Sequence, residues 1–117
     1  MSPTILLVDD HCAFRCAVRA VLEADGYEVV GEACDGRAGL SAALALKPDV
    51  VLLDVRLPDM DGFAVALRLA AEGTGPAVIV TSSSEDPLYP ARAARSGARG
   101  FVPKHDVTGA ALDKILA

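Results

Sequence analysis

The sequence predicts a single doubly wound α/β domain built on a parallel sheet, and three observations lead to this prediction. Short apolar runs alternate with segments of helical period along the whole chain, which is the pattern of repeated strand–helix units. The strongest runs are continuously apolar, as expected of strands that are covered on both faces. The length of 117 residues supports one hydrophobic core, so residues 1–117 are predicted to form one domain.

Five strands are predicted from the apolar runs. Three of these runs are continuous and lie at Thr4–Val8, Val50–Leu53 and Ala77–Val80. Two weaker runs, Tyr27–Glu32 and Gly100–Val102, are expected nearer the edges of the sheet. Since a helical segment follows every strand, right-handed crossovers should place helices on both faces of the sheet.

Five helices are predicted, four of them from an apolar face of helical spacing. In chain order these faces are Phe14, Val18, Val21 and Leu22; Leu40, Ala43 and Leu44; Phe63, Ala66, Leu67 and Ala70; and, in the last helix, Ala111, Leu112, Ile115 and Leu116. An Ala-rich fourth helix is expected from about Leu88 to Ser96. Gly26 suits the position after the first helix, Asp35 is a candidate N-cap of the second, which should end before Pro48, and residues 73–76 should end the third.

Composition and charge exclude several classes of protein. A hydrophobic content of 52% excludes wholesale disorder. The net charge of -5 argues against nonspecific binding to nucleic acid or to anionic lipid. No basic segment precedes an apolar stretch, and no apolar run approaches the length needed to span a membrane, so a cytoplasmic protein is expected.

Polar side chains follow four of the predicted strands. They are Asp9 and Asp10 after the first strand, Asp54 after the third, Thr81 and Ser82 after the fourth, and Lys104 after the fifth. Because the carboxyl ends of parallel strands meet at one edge of the sheet, these groups should converge. Grouped carboxylates favour a cation such as Mg²⁺. With an ammonium and a hydroxyl beside them, they could stabilise a phosphoryl group in transfer to a carboxylate.

Each of these residues also has an ordinary structural interpretation. Asp10 alone could be only a helix N-cap, Lys104 alone a solvated side chain, and Ser82 alone a loop residue. The joint placement at four strand ends is what favours a functional site.

The three cysteines do not predict a disulfide framework, because they are few and odd in number. They fit a reducing compartment. Cys12 and Cys16 lie four residues apart beside His11, which raises the question of a zinc site, but a fourth ligand is not evident. Ordinary buried or half-buried thiols are expected instead.

Three segments resemble the receiver domain of bacterial two-component response regulators: ILLVDDHCAFR, DVVLLDVRLPDMDG and SGARGFVPK. The middle segment is the most specific, because a strand-end Asp followed by x-x-x-Pro-x-Met-Asp-Gly is the receiver signature. The resemblance covers essentially the whole chain. It implies a CheY-like, flavodoxin-like (βα)5 fold whose parallel sheet has the order 2-1-3-4-5. The VDDH start and GFVPK ending are most similar to the LuxR/NarL-type branch, whose members usually carry a C-terminal helix-turn-helix domain.

The resemblance also implies a role for each site residue. The implied roles are phosphoryl acceptor for Asp54; Mg²⁺ ligands for Asp9, Asp10, Asp54 and the backbone carbonyl of Arg56; phosphoryl contact for Lys104; switch hydroxyl for Ser82, or for Thr81 if the loop is shifted; and an inward-turning aromatic for Phe101. The phosphoryl group would come from a sensor histidine kinase or a phosphotransfer protein, and its transfer would require Mg²⁺. The chain would be a signalling switch that catalyses only its own phosphotransfer and dephosphorylation, and not an ordinary enzyme.

Partners other than the kinase are expected only in outline. A homodimer could form through the fourth helix, fifth strand and fifth helix, or through the first and fifth helices. This chain itself should bind neither nucleic acid nor membrane, and any DNA binding would belong to a helix-turn-helix domain outside it. The kinase, the signal and the regulated process are not named by the sequence.

Two other functions are considered. A receiver-like domain could act as a phosphorylation-independent protein-interaction module, although every expected site position is filled here. Asp9-Asp10-His11 also begins like the D-x-H-x-x-G motif of cobalamin-binding domains, but Phe14 occupies the Gly position. A flavin would require a Ser/Thr/Gly phosphate loop where this chain is acidic.

Overall fold

Strands and helices alternate along the chain in the computed structural model, which describes residues 2–71, 73 and 75–117. Within these residues the elements are β1 (Thr4–Val8), α1 (Cys12–Ala24), β2 (Glu28–Ala33), α2 (Gly36–Leu46), β3 (Val50–Asp54), α3 (Gly62–Ala70), β4 (Ala77–Ser82), α4 (Tyr89–Arg95), β5 (Gly100–Pro103), a 3-10 turn (Lys104–Asp106) and α5 (Gly109–Leu116). The predicted alternation is confirmed. The 3-10 turn between β5 and α5 was not predicted.

The strands form one parallel sheet in the order β2-β1-β3-β4-β5. This is the flavodoxin-like order, and it confirms the predicted fold class. The strand order reverses between β1 and β3, which pair from Ile5↔Val50 to Val8↔Leu53. A crevice therefore forms where the connections from these two strands leave the sheet in opposite directions.

The two faces of the sheet carry separate hydrophobic clusters. On one face, α2, α3 and α4 cover side chains from the strands that include Leu6, Val8, Val51, Leu53, Val78 and Val80. On the other face, α1 and α5 cover side chains that include Ile5, Leu7, Val50, Leu52, Ile79 and Val102. Successive residues of a strand point to opposite faces, so a sheet buried on both faces requires the continuous apolar runs seen in the sequence.

Four residues that were predicted to lie on the buried faces of helices are exposed instead. Leu44 of α2 is 62% exposed and Leu67 of α3 is 54% exposed, while Ala70 and Val21 are also on the surface. In α2, Gly39 packs closely against the sheet, since a Cβ atom there would lie 2.8 Å from the Val8 side chain. This contact turns Gly39 and Ala43 inward, and Leu44 is thereby rotated into solvent. In α3, where nearly every residue is apolar, spacing alone could not select the buried residues, which include Val65 and Leu69.

The remaining sequence predictions concern element ends and the cysteines. The glycine after α1, Gly26, has a φ of +97°, and the Asp35 side chain caps α2 by accepting a hydrogen bond from the Ala38 amide, as predicted. The helix α3 ends at Ala70; Thr74, part of the segment predicted to end it, lies outside the described residues. The prediction of buried or half-buried thiols is wrong, because Cys12, Cys16 and Cys34 are all exposed. The inward face of α1 is occupied by Val18 and Leu22, which leaves Cys12 and Cys16 on the solvent side.

No helix in the described part of the chain has the length and apolar character required to cross a bilayer.

Burial predicts opposite outcomes for one substitution made at two leucines. Leu53→Ala in β3, at a fully buried position, should lower the free energy of unfolding by about 2–5 kcal/mol, because it leaves a cavity in the core. Leu44→Ala, at the exposed position in α2, should change it by less than about 0.5 kcal/mol. Urea unfolding followed by circular dichroism measures both. Equal losses would contradict the assignment of Leu44 to the surface.

Candidate functional site

The turn after β1 presents two acidic side chains at the carboxyl edge of the sheet. The Asp9 amide extends the pairing with β2 by donating to the Ala33 carbonyl at 3.0 Å. The Asp9 carboxylate accepts a hydrogen bond from the His11 amide at 2.8 Å, which closes the turn before α1. Asp9 is 2% exposed, whereas Asp10 lies on the surface. The N-cap of α1 is His11, so the interpretation of Asp10 as a helix cap is wrong.

Asp54 is the last residue of β3 and is in register with Thr81 of β4. It is 3% exposed, and its Oδ1 accepts a hydrogen bond from the Arg56 amide at 3.2 Å. The chain then folds back, because the Gly62 amide donates to the Val55 carbonyl at 2.8 Å. A Cβ atom at residue 62 would lie 2.1 Å from the Asp54 carbonyl oxygen, so only glycine permits this loop.

Lys104 follows β5 and reaches the two buried carboxylates. Its Nζ lies 2.7 Å from Asp9 Oδ2 and 3.2 Å from Asp54 Oδ2. The ammonium also lies 4.6 Å from the centre of the Phe14 ring, which is within the range of a cation–π contact. The lysine therefore supplies the positive charge that offsets part of the repulsion between the two buried acids.

The acidic side chains converge closely enough to hold one metal ion. Ligand atoms of Asp9, Asp10, Asp54 and His11 all lie within 4.8 Å of one another. Three carboxylates are the hard oxygen donors that Mg²⁺ prefers, so the donor set fits this ion. A metal role for the Arg56 carbonyl stays a prediction.

His11 is a site residue to which the sequence reasoning gave no role. Its Nδ1 lies 3.1 Å from Asp9 Oδ1, 3.2 Å from Asp10 Oδ1 and 3.3 Å from Lys104 Nζ. Its position directly after two strand-end aspartates was the only available signal, and that signal also suits a plain helix N-terminus.

Burial is the main influence on the pKa of the Asp54 carboxyl group. Loss of hydration raises the pKa of Asp54, and the nearby charge of Asp9 raises it further. The hydrogen bond from the Arg56 amide and the ammonium of Lys104 act in the opposite direction, but the net effect is a raised pKa. A cation entering the cluster would counteract this effect because it favours the ionised carboxylate.

The two candidate hydroxyls both lie within β4, and not after it as predicted. The Ser82 Oγ accepts a hydrogen bond from the Ser84 amide at 3.0 Å. The Thr81 hydroxyl is buried and has no hydrogen-bond partner among the described residues. Val80 pairs with Phe101, and Ser82, two residues further along β4, projects on the same side of the sheet as both of them.

An aromatic chain connects α3, α4 and β5 beside these hydroxyls. Tyr89 is buried between Phe63 and Phe101, with ring centres 5.8 Å and 5.6 Å away. The Arg92 guanidinium lies 4.3 Å from the centre of the Phe63 ring. Phe101 is half-buried, so part of its ring remains at the surface.

Asp59 anchors the loop after Asp54 to α2, and the sequence did not predict this contact. Its carboxylate accepts hydrogen bonds from the Gly36 amide at 2.7 Å and the Arg37 amide at 2.9 Å. These contacts lower the pKa of Asp59. The loop is therefore held from α2 as well as from its own ends.

A protein family and several curated proteins are similar to this chain in sequence. Residues 5–116 match the family described as the response regulator receiver domain. The virulence-factor transcription regulator BvgA of Bordetella pertussis is 40% identical over 102 residues, which are 87% of this chain and 49% of BvgA. The transcriptional regulatory protein LiaR of Bacillus subtilis is 37% identical over 116 residues, 97% of this chain and 54% of LiaR. The chain therefore spans about half the length of the curated relatives it matches.

Solved structures are similar over the whole chain. The signal receiver domain of the response regulator NarL from Mycobacterium tuberculosis has a TM-score of 0.88 and 35% identity, and the match covers 99% of this chain and 98% of that one. A LuxR-family response regulator from Aurantimonas sp. has a TM-score of 0.86 and 27% identity, covering 97% of this chain and 81% of that one.

The raised pKa predicts that Asp54→Asn stabilises the fold at neutral pH. The folded chain holds the Asp54 proton more tightly than the unfolded chain, so stability falls as the pH rises through the unfolded and then the folded pKa. The gain from Asn should be largest at neutral pH and should vanish below the ordinary carboxyl pKa of about 4.

Thermal unfolding without divalent cations across this pH range measures the effect. Glu28→Gln, which removes an exposed acid from β2, controls for the change in net charge. A lower stability of Asp54→Asn than of the unaltered chain at neutral pH would contradict the prediction.

Proposed function

The chain belongs to the response regulator receiver family, and on that premise we propose that it is a phosphorylation-controlled switch with Asp54 as the phosphoryl acceptor. The acidic pocket and Lys104 are typical of a phosphorylatable response regulator. The observation that carries the proposal is that the buried Asp54 carboxylate lies within one cluster with Asp9 and Asp10 and 3.2 Å from the lysine ammonium.

The proposed donor is a phosphohistidine on a sensor histidine kinase or phosphotransfer protein in the cytoplasm. A carboxylate oxygen of Asp54 forms a bond to phosphorus while the bond from phosphorus to the imidazole nitrogen breaks, and the leaving imidazole recovers a proton from solvent. In the later hydrolysis, water adds to phosphorus and the bond to Asp54 breaks, which releases inorganic phosphate and restores the carboxylate. The chain thus catalyses only its own phosphorylation and dephosphorylation.

Lys104 is suited to hold the incoming group. Its ammonium already lies between Asp9 and Asp54, and a phosphoryl group on Asp54 would bring new anionic oxygens within its reach. A pre-positioned cation stabilises charge that develops on these oxygens without reorganisation at the moment of transfer.

Asp9, Asp10 and Asp54, with the Arg56 carbonyl, are the proposed residues that hold Mg²⁺. When bound, Mg²⁺ would neutralise the clustered acids and the charge on the phosphoryl oxygens. The buried Asp9 Oδ2 supports this assignment, because it accepts no hydrogen bond from the described residues, although the Lys104 ammonium lies 2.7 Å away.

Ser82 is the proposed switch hydroxyl, and Phe101 is the proposed aromatic that turns inward with it. The shared sheet face of Ser82, Val80 and Phe101 supports this pairing over one with Thr81. New charge on Asp54 would draw the Ser82 hydroxyl toward it and free space that Phe101 can enter. Tyr89 would transmit the change to α4, because it packs directly against Phe101.

The output belongs to a longer regulator in this proposal. Two of the relatives are named as transcription regulators, and the chain matches about half of each. We therefore propose that phosphorylation controls DNA binding by a helix-turn-helix domain outside this chain. A homodimer through α4, β5 and α5, or through α1 and α5, would connect phosphorylation to DNA binding. The mass of the assembly in solution, measured with and without beryllofluoride as a mimic of the phosphoryl group, distinguishes dimer from monomer.

Phosphorylation should depend on Asp54 and on Mg²⁺. Incubation with acetyl phosphate and Mg²⁺ should add one phosphoryl group, measured by intact mass spectrometry, and Asp54→Asn or excess chelator should abolish the addition. Asp106→Asn, at an exposed position in the 3-10 turn near the site, is the matched control and should be phosphorylated normally. Absence of phosphorylation in the unaltered chain would favour the phosphorylation-independent interaction module.

The two hydroxyls should respond differently to removal. Ser82→Ala should slow phosphorylation by acetyl phosphate on the order of tenfold or more, because a donor to the phosphoryl oxygens is lost. Thr81→Val should leave the rate within about twofold and leave stability unchanged or higher, because it removes a buried hydroxyl without a partner. The reverse result would assign the switch role to Thr81.

A further inference from the structure

Arg15 is a charged residue on the inward side of α1 to which no function has been given. Its side chain is only 15% exposed. Burying a guanidinium is costly unless it is paired and hydrogen-bonded, so its partners indicate why it lies there.

One partner of Arg15 is the backbone of the acidic turn. The Arg15 Nη1 donates a hydrogen bond to the carbonyl oxygen of Asp9. Other polar groups of Asp9 contact different elements: its amide donates to Ala33 of β2, its Oδ1 accepts from the His11 amide, and its Oδ2 lies 2.7 Å from the Lys104 ammonium. Arg15 therefore supplies the contact from within α1 that fixes the carbonyl.

This carbonyl matters for Asp10 because of peptide geometry. The Asp9 carbonyl and the Asp10 amide belong to one planar peptide unit. Fixing the carbonyl oxygen fixes the plane of that unit and hence the direction in which the chain enters Asp10. The guanidinium therefore contributes to the placement of both carboxylates of the turn.

The second partner of Arg15 is Glu32 on the edge strand β2. The Arg15 Nε donates to Glu32 Oε1 at 2.9 Å, and the Arg19 Nη1 lies 2.8 Å from Glu32 Oε2. Burial alone would raise the pKa of Glu32, but the hydrogen bonds from Arg19 and Arg15 outweigh it and the net effect is a lowered pKa. Glu32 thus stays ionised and orients the Arg15 guanidinium toward Asp9.

We propose that Arg15 is a positioning residue for the cation site, holding the Asp9–Asp10 peptide so that both carboxylates converge with Asp54. The inference rests on the proposed function, because it takes the acidic cluster to be the Mg²⁺ site. Residues that orient metal ligands through a hydrogen bond commonly contribute 10–100-fold to metal affinity.

Arg19 provides a matched control for the test. It lies one helical turn after Arg15, carries the same charge and contacts the same Glu32. Among the described residues its ion pairs are with Glu32 and Glu23, and none is with the acidic turn. Arg15→Gln should raise the Mg²⁺ dissociation constant, measured by calorimetry, by roughly 10–100-fold. Arg19→Gln should change it by less than about twofold, the effect expected of a screened surface charge.

A conservative variant separates positioning from folding. Arg15→Lys keeps the charge, but a single ammonium cannot present the guanidinium fork to Glu32 and the Asp9 carbonyl together, so Mg²⁺ affinity should be intermediate. If circular dichroism shows that Arg15→Gln is not folded, the Mg²⁺ affinity of Arg15→Lys is compared with that of Arg19→Lys instead.

The outcomes distinguish this proposal from the proposed function. Equal Mg²⁺ affinity in Arg15→Gln and Arg19→Gln, whether both are normal or both are weakened, would overturn the positioning role. If Asp10→Asn loses Mg²⁺ binding in the same experiment, the cation site itself still stands. Absence of Mg²⁺ binding by the unaltered chain would overturn both proposals.

Discussion

The structure depends on holding three carboxylates together at one edge of the sheet. Asp9 and Asp54 are almost fully buried, and Asp10 lies beside them at the surface. Such a cluster is unfavourable without positive charge, and the Lys104 ammonium provides it at 2.7 Å and 3.2 Å from the two buried acids. The same repulsion that makes the cluster costly favours the binding of a cation such as Mg²⁺, for which the donor set is suited.

The positions of β1 and β3 in the sheet bring the acidic residues of this cluster together. β1 and β3 are adjacent at the point where the strand order reverses, so Asp9 and Asp54 emerge side by side. Both strands are buried on both faces. This close packing limits how far the backbone can move in response to repulsion between the carboxylates. Stability is therefore concentrated in the sheet, whereas charge is concentrated at its edge.

Separate anchors hold the two loops that carry the acids. The turn after β1 is tied to β2 through Ala33 and to α1 through Arg15. The loop after β3 is tied to α2 through Asp59 and closes on itself at Gly62. The rings of Phe63, Tyr89 and Phe101 connect α3, α4 and β5 through aromatic contacts, and Phe101 is half-buried. In the proposed switch, the rigid side receives the phosphoryl group and the aromatic side responds.

The sequence by itself determined the fold class, the alternation of elements and the residues at the strand ends, because continuous apolar runs and strand-end polarity are local properties. Asp9, Asp10, Asp54 and Lys104 could be predicted as one group because parallel strands end at one edge. Tertiary structure alone decided which side of an apolar helix is buried, as the exposure of Leu44 and Leu67 demonstrates. It also decided the contact of Arg15 with Glu32 and that of Asp59 with Gly36, which join residues 17 and 23 positions apart in sequence, since a local pattern carries no information about contacts that form only when distant segments pack.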